Sequence, residues 1–392
     1  MKNELLNLLG FGIPKIGTDA SSTLLDQAND AMSKGDYEKA YSCCDNVLQK
    51  NPKNTEALVF RGIACVGKND LDGAISDWSE AIQIDPSIAA AYANRGNIYQ
   101  RKGELDDAMI DWSKAIELDP KNAAIFYNRG YAYHEKGNLD KAIIDYSEAI
   151  RLNPNFYKAF ANRGRIYGRK GEWDKAFADF NEAIRINPKY FGAYASRAEA
   201  YCCNGDLDKA ISDYDEAIQL DPEAGKIYYL RGNAYFKKGE LDRAICDYNK
   251  AIVNDPCLSK AYYERGIIYR RKGDFAKAID DYEQAIQLDS KFSLPHNNLA
   301  WLLATCSAPS FRNGTHAVNL ALKACELTEW KKWNCIGTLA AAYAETGDFA
   351  QAIKCQTQAI SMEGVSEKTR IEAQQRLDLY KQRKPYHEVQ TL

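Results

Sequence analysis

The sequence predicts an all-α protein, a right-handed α-solenoid of about ten stacked helix-turn-helix repeats with a C-terminal capping helix. The first observation behind this prediction is a strict period, because prolines recur every 34 residues and only Ser290 breaks the series at the next step. The second is that small and aromatic residues keep one register within each period. Self-similarity at 20 to 50 residues is typical of a stacked array rather than of one globular enzyme domain. The seven prolines are Pro52, Pro86, Pro120, Pro154, Pro188, Pro222 and Pro256.

The period from residue 89 to residue 122 predicts two helices joined by a tight turn. Ala108 and Trp112 lie four residues apart in its second half, which places them on one face of a helix. Gly103 stands between the halves, and glycine accepts the left-handed conformation common just after a helix end. Pro120 cannot continue the second helix. We therefore expect the aromatic stripe of each helix pair to form the core of the array.

The pattern resembles the tetratricopeptide repeat, a 34-residue helix-turn-helix unit with characteristic aromatic, glycine, alanine and proline positions. The resemblance covers about residues 21–365, and it implies the fold together with a role in binding other proteins. In the period that begins at residue 89, positions 4, 8, 11, 15, 20, 24, 27 and 32 are Tyr92, Gly96, Tyr99, Gly103, Ala108, Trp112, Ala115 and Pro120.

The register divides the chain into four parts, and one of them carries an insertion. The ninth repeat is five residues longer than the others, and we place the extra residues in a loop within 306–315. Residues 1–20 are predicted as a leader, either a short helix or a disordered segment. The remaining parts are eight regular repeats in 21–292, two divergent repeats in 293–365, and a capping helix and tail in 366–392.

One departure from the family predicts a ladder of ion pairs. Position 7 is usually leucine, but in repeats 2 to 8 it is arginine, and the same seven repeats carry aspartate at position 23. We expect these residues to pair between first and second helices, within a repeat or between neighbours, and to serve the structure rather than a ligand. The arginines are Arg61, Arg95, Arg129, Arg163, Arg197, Arg231 and Arg265; the aspartates are Asp77, Asp111, Asp145, Asp179, Asp213, Asp247 and Asp281.

The composition and the missing motifs argue against several classes of protein. The chain has 51 basic and 54 acidic side chains, a net charge of -3, which does not suit a bulk nucleic-acid binder. It carries no phosphate-binding glycine loop, zinc-protease motif or nucleophile elbow. Its four histidines and its cysteines show no zinc-ligand spacing. We therefore predict no enzyme activity, no catalytic residue, no cofactor and no metal.

Membrane and compartment predictions follow from the apolar residues and the cysteines. No run of 18 apolar residues occurs, so no membrane span is expected. The chain has 11 cysteines, which is an odd number. Two pairs, Cys43–Cys44 and Cys202–Cys203, are adjacent in the sequence, and this spacing does not favour a regular disulfide framework. The cysteine pattern therefore favours a location in the reducing cytoplasm.

The resemblance also implies a binding surface, because positions 2, 5, 9, 12 and 13 of the first helices line a concave groove in this family. We call them the groove positions. Here they are rich in arginine, lysine and tyrosine, which suits an acidic or carboxylate-ended peptide, although ordinary solvated helix residues would look the same. The candidate residues are Asn97, Arg101, Tyr127, Tyr131, His134, Lys158, Arg165, Arg169, Tyr229, Asn233, Phe236, Lys237, Tyr263, Arg270 and Arg271.

The identity of the partner is left open by the sequence. Some family members clamp acidic chaperone tails, and Asn97, Asn128 and Lys158 match that clamp, but Ala93 and Asn162 replace its first lysine and its arginine. The leading interpretation is a non-catalytic scaffold for a protein or peptide. The alternatives are a single-stranded RNA binder, disfavoured by the charge, and an accessory subunit of an enzyme complex.

Overall fold

The computed structural model describes residues 22–388, and every regular element in that range is a helix. The predicted all-α class and the pairing of helices into helix-turn-helix repeats are confirmed, while the right-handed sense stays a prediction. The predicted leader, residues 1–20, and the end of the predicted tail, residues 389–392, lie outside the described residues.

The described residues form two compact units that divide between Ala200 and Tyr201. The division predicted from the sequence, with boundaries after residues 20, 292 and 365, stays a prediction. The helices that lie in the first unit are α1 (Ser22–Ser33), α2 (Tyr37–Lys50), α3 (Thr55–Gly67), α4 (Leu71–Ile84), α5 (Ala89–Lys102), α6 (Leu105–Leu118), α7 (Ala123–Glu135), α8 (Leu139–Leu152), α9 (Tyr157–Arg169) and α10 (Trp173–Ile186), and α11 (Phe191–Asn204) contains the division.

The helices of the second unit continue the alternation of first and second helices. They are α12 (Leu207–Leu220), α13 (Gly225–Lys238), α14 (Leu241–Asn254), α15 (Ser259–Arg271), α16 (Phe275–Leu288), α17 (Ser293–Thr305), α18 (Gly314–Leu327), α19 (Trp333–Glu345), α20 (Phe349–Ser361) and α21 (Glu367–Lys381), with one 3-10 turn at Pro309–Phe311.

The turn inside every repeat except the ninth depends on a residue with positive φ. Gly103 has φ +82°, as the sequence predicts, and its backbone N–H closes the end of α5. Repeat 2 has Asn69 at this position, with φ +66°, because asparagine tolerates the left-handed region better than other residues with a side chain. Asp70 then caps α4, since its carboxylate accepts the backbone N–H of Gly73 at 2.9 Å.

A small residue faces a large one where the two helices of a repeat cross. A Cβ on Gly232, at position 8, would lie 2.7 Å from the ring of Tyr248 at position 24, so only glycine allows this approach. Where position 24 is not aromatic, position 8 is alanine, as in Ala340 with Gln356. The same complementarity recurs in the pairs Gly62–Trp78, Gly96–Trp112, Gly130–Tyr146, Gly164–Phe180 and Gly266–Tyr282.

The predicted arginine-aspartate ladder is present, and it joins the two helices of the same repeat. Six pairs have both members in one compact unit, and in each of them Nε and Nη2 of the arginine donate to the two carboxylate oxygens at 2.6–3.0 Å. The aspartates are 2–6% exposed. The arginine side chains are 18–19% exposed, so these are buried, bidentate ion pairs. Arg197 and Asp213, the seventh predicted pair, belong to different units.

Each ladder arginine also reaches the preceding repeat, a contact that the sequence analysis missed. Nη1 of Arg95 donates to the hydroxyl of Ser79 at 2.9 Å, and that hydroxyl donates in turn to the carbonyl of Ile75 at 2.6 Å. The acceptor always occupies position 25, where an oxygen-bearing side chain recurs. These acceptors are Asp45, Ser79, Ser113, Ser147, Asn181, Asp215 and Asn249.

Two aromatic rings of the same helix flank the guanidinium of five ladder arginines. The Cζ of Arg129 lies 5.9 Å from the ring centroid of Phe126 and 5.8 Å from that of Tyr133. These rings stand at positions 4 and 11, one turn before and one turn after the arginine, and a ring face attracts a cation. The arrangement recurs at Arg95, Arg163, Arg231 and Arg265.

The divergent end of the chain departs from the expected pattern at one residue. The loop between α17 and α18 falls in the predicted insertion, and Asn313 caps α18 by accepting the backbone N–H of His316 at 3.0 Å. The sequence of α21 predicts an apolar face at Ile371, Leu377 and Tyr380, but Ile371 is 53% exposed. Ala373, Leu377 and Tyr380 are buried instead, because steps of four and three residues keep them on one face.

We predict that Asp145→Ala destabilises the protein by about 3–5 kcal/mol, because it leaves the buried guanidinium of Arg129 without its carboxylate. Thermal and urea unfolding followed by circular dichroism measures the loss. The matched control is Asp140→Ala, which removes a carboxylate exposed on the surface beside Lys170 and should have little effect. Equal losses in the two variants would contradict the buried ladder.

Candidate functional site

The groove positions of successive first helices contact one another. In the first compact unit, Nδ2 of Asn162 donates to the hydroxyl of Tyr127 at 3.1 Å, and Nη1 of Arg169 donates to Nε2 of His134 at 2.9 Å. Both contacts join α7 to α9 across neighbouring repeats. Positions 5, 6, 12 and 13 therefore lie on a shared surface, although position 6, occupied by Asn162, was predicted only as a clamp position.

A basic and aromatic group stands out on this surface in the first unit. We define the basic-aromatic cluster as Tyr127, Tyr131, His134, Arg165 and Arg169. Arg165 and Arg169 are exposed, Tyr127 and Tyr131 are half-buried, and His134 is buried. Within residues 22–388 neither Arg165 nor Arg169 forms an ion pair. Their positive charge is therefore directed to the surface, unlike that of the ladder arginines.

Additional aromatic residues extend the cluster. The ring of Tyr127 lies 4.7 Å from Phe156 and 5.7 Å from Tyr146, measured between centroids. Tyr157 and Tyr190 form a second pair at 4.9 Å. These four neighbours were not predicted from the sequence, because positions 1, 24 and 34 of the repeat are not groove positions.

The electrostatics of the cluster keep His134 neutral. Burial lowers the pKa of His134, and the positive charges of Arg169 and Arg165 lower it further, while Glu135 opposes them weakly. A neutral ring leaves Nε2 as an acceptor for the guanidinium of Arg169. His134 therefore orients Arg169 instead of adding a second charge.

The tyrosine hydroxyls of the cluster stay protonated at neutral pH. Burial raises the pKa of Tyr127 to about 12, and it also raises the pKa of Tyr131 and of Tyr146. The hydroxyl of Tyr146 is buried and has no hydrogen-bond partner among the residues that the structure describes. The corresponding tyrosine of repeat 7, Tyr248, donates to Asn233 at 2.7 Å, but Tyr131 occupies the equivalent of Asn233 in repeat 4.

Like His134, the predicted groove residues Asn97 and Tyr263 are buried, which corrects the expectation that these three residues line a surface. Asn97 is 3% exposed, and its side-chain carbonyl accepts from Nε1 of Trp112 at 3.1 Å and from Nδ2 of Asn128 at 2.9 Å. Tyr263 accepts a hydrogen bond from Asn298 at 3.2 Å. Asn97 and Asn128, two of the three residues that match the chaperone clamp, are thus bonded to each other.

The groove positions of the second unit are less uniformly basic than the sequence suggested. The guanidinium of Arg271 lies 4.7 Å from the ring centroid of Phe236, and Lys237 is exposed. Glu264, at position 6, places a half-buried carboxyl group beside the basic residues of this unit. Burial raises the pKa of Glu264. Tyr229 packs against Tyr248 with 6.1 Å between ring centroids.

The remaining predicted residues divide into accessible and paired ones. Arg101 is exposed at the end of α5, and Lys158 is half-buried at the start of α9. Arg270 is paired with Glu388, near the end of the described chain, at 2.7 Å between Nη2 and Oε1. The groove position of Arg270 is therefore occupied by the protein's own chain.

Residues 22–388 contain no helix that is both long and apolar enough to cross a membrane. The same range brings no three histidine, cysteine or carboxylate side chains together in a way that could hold a metal ion. The predicted cytoplasmic location stays a prediction.

Models of the tetratricopeptide repeat match most of the chain. The matches described as "TPR repeat" and "Tetratricopeptide repeat" cover every residue from 62 to 292 and return near the C-terminus. The matched segments are residues 62–103, 96–137, 199–239 and 232–273; 123–156, 157–190 and 259–292; 180–212; and 335–364. No curated protein matches the chain.

Solved structures of repeat proteins are similar to parts of the chain. A tetratricopeptide repeat protein from Parabacteroides merdae is 27% identical, with a TM-score of 0.51, over 60% of this chain and 93% of its own. YrrB, described as a TPR protein with an unusual peptide-binding site, is 23% identical over 46% of this chain and 92% of its own, with a TM-score of 0.42. MamA is 29% identical over 42% of this chain and 96% of its own, with a TM-score of 0.40.

We predict that His134 makes the stability of the protein fall at acid pH. Because its pKa is lowered in the folded state, protons bind the unfolded chain more readily, so stability is lost as the pH falls below about 6.5.

His134→Gln keeps an acceptor for Arg169 but does not titrate. Urea unfolding at several pH values between 5 and 8 should give the variant a shallower dependence on pH than the wild type. His316→Gln, a change at an exposed histidine, should keep the wild-type dependence, and identical slopes for all three proteins would refute the prediction.

Proposed function

The chain belongs to the tetratricopeptide repeat family, and we propose that it is a non-catalytic scaffold that binds a protein or peptide through its groove positions. The observation that carries the proposal is the basic-aromatic cluster of the first unit. There, two arginines without ion-pair partners within residues 22–388 stand beside half-buried tyrosines.

The chemistry of the cluster favours an acidic segment as the ligand. Guanidinium groups form strong, bidentate hydrogen bonds with carboxylates, and Arg165 and Arg169 are exposed. Tyrosine offers apolar contact area together with a polar tip, and Tyr131 is half-buried beside Arg165. The contact between Arg169 and His134 restricts the guanidinium before any ligand arrives, which reduces the entropy lost on binding.

Single-stranded RNA is the less favoured ligand. RNA recognition of this kind needs ring faces on which bases can stack. The rings of Tyr127 and Tyr157 are instead packed against Phe156 and Tyr190 of the same unit. An accessory role in an enzyme complex differs from the proposed scaffold only in what the partner does.

We predict that the double variant Arg165→Glu/Arg169→Glu loses its partner. The two changes shift the local charge by four units and turn attraction for a carboxylate into repulsion, so we expect affinity to fall about 100-fold or more. Partners captured from the native host are identified by mass spectrometry, and binding of the purified partner is then measured by titration calorimetry.

The matched control is Arg151→Glu/Arg185→Glu, which makes the same change of charge in the same unit at exposed residues of the second helices α8 and α10. This control should bind the partner as the wild type does. Capture that survives in the Arg165→Glu/Arg169→Glu variant would remove the cluster from the binding site. Retention of RNA on a filter, abolished by salt, would favour the RNA alternative.

A further inference from the structure

The C-terminal segment Pro385–Glu388 returns to the groove positions of the second unit. It follows α21 and lies against the first helices of repeats 8, 9 and 10. Glu388 makes the main contact, because its Oε1 accepts from Nη2 of Arg270 at 2.7 Å and from Nε1 of Trp301 at 2.7 Å. Arg270 stands at position 12 of repeat 8 and Trp301 at position 9 of repeat 9, so both donors occupy groove positions.

The backbone of the segment is held as well as its side chains. The N–H of Glu388 donates to the carbonyl of Thr305 at 2.7 Å. This carbonyl is available because Thr305 is the last residue of α17, where the last carbonyls have no partner within the helix. One residue of the segment is thus bound through both its carboxylate and its main chain.

The neighbouring side chains point in alternate directions. Tyr386 packs with its ring centroid 6.0 Å from that of Trp301, and the guanidinium of Arg376 lies within 5.7 Å of both centroids. His387 points elsewhere, since its Nε2 donates to Oε2 of Glu345 at 2.7 Å. Successive side chains of an extended peptide point to opposite sides in this way.

The contacts have the character of ligand recognition rather than of a buried core. The carboxylate of Glu388 and the guanidinium of Arg270 each keep about a third of their side-chain surface exposed, at 34% and 30%. Specificity comes from a charge-assisted hydrogen bond, an indole donor and an aromatic contact. Peptide-binding sites combine main-chain hydrogen bonds with side-chain pockets in the same way.

We propose that Arg270, Trp301 and Thr305 form a subsite for an extended peptide that carries an aromatic residue two positions before a carboxylate, and that Tyr386–Glu388 occupies this subsite in cis. A partner with the same pattern binds by displacing the segment. This inference rests on the proposed peptide-binding function, but it concerns the other compact unit and needs no residue of the basic-aromatic cluster.

The connection through the chain makes the segment a strong competitor. A tethered ligand acts at an effective concentration of about millimolar, so a free peptide of similar affinity is excluded from the intact protein. The second unit therefore remains closed to weak ligands. Only a partner that binds better than the segment, or a change that releases the segment, opens the subsite.

The test uses the full chain and a fluorescein-labelled synthetic peptide with the sequence of residues 384–392, followed by fluorescence anisotropy. The wild type should bind this probe weakly. The segment variant Tyr386→Ala/Glu388→Ala, which releases the subsite, should bind it about ten-fold more tightly or better. Adding Arg270→Ala to the segment variant should remove the gain, and a probe with glutamine at the position of Glu388 should not bind.

Arg243→Ala in the segment variant is the matched control, because Arg243 is an exposed arginine of the second helix α14 in the same unit and lies outside the groove positions, so it should leave the affinity for the probe unchanged. Equal affinity of the wild type and the segment variant for the probe would overturn the proposal. Loss of binding with Arg243→Ala as large as with Arg270→Ala would also overturn it.

Hydrogen exchange gives a second measurement that does not depend on the segment variant. The amide of Glu388 should exchange at least ten-fold more slowly in the wild type than in Arg270→Ala, because its bond to Thr305 depends on the docked carboxylate. Equal exchange rates would overturn the docking. Because neither measurement involves Arg165 or Arg169, failure of this proposal and failure of the proposed function are distinguishable.

Discussion

The arginine at position 7 joins the two helices of repeats 2 to 5, 7 and 8, and it ties each of these repeats to the one before. In Arg129, Nε and Nη2 bind Asp145 on the second helix of its own repeat, and Nη1 binds Ser113 of the preceding repeat. Phe126 and Tyr133 flank the same guanidinium. One planar group with five donors can satisfy all these contacts, which a lysine ammonium could not do with the same geometry. Both the packing of helices and the spacing of repeats therefore depend on this side chain.

The same interaction leaves the other faces of the first helices available for binding. Positions 4, 7, 8 and 11 point to the ladder and the core, while the groove positions follow a different side of the helix, because each residue advances about 100°. Since the ladder fixes the first helices against each other, groove residues of neighbouring repeats meet in defined pairs such as His134 with Arg169. A rigid framework of this kind lets individual groove residues vary without loss of the fold.

Most of the fold could be predicted from the sequence because its determinants repeat. The positive φ of Gly103 and the pairing of Arg95 with Asp111 each follow from a residue type at a fixed position. The acceptor at position 25 was missed because serine, asparagine and aspartate share no charge or size, only an oxygen in reach of the guanidinium. For the candidate site, the groove positions predicted the region but not which of its residues are buried. Asn97 was predicted at the surface, but it is buried because helix packing brings it to Trp112 and Asn128. The contact between Arg270 and Glu388 joins residues 118 apart, and no local pattern reports such a contact.

The acceptor at position 25 also bears on how such a chain can change in length. Every regular junction uses the same arginine on one side and a short oxygen-bearing side chain on the other, from Asp45 with Arg61 to Asn249 with Arg265. A repeat gained by duplication, or lost by deletion of 34 codons, thus brings together two surfaces that already match. Gene rearrangement can therefore lengthen or shorten the regular part of the array without the need for a new interface. The divergent repeats at the C-terminal end lack the arginine, so they are not interchangeable in this way.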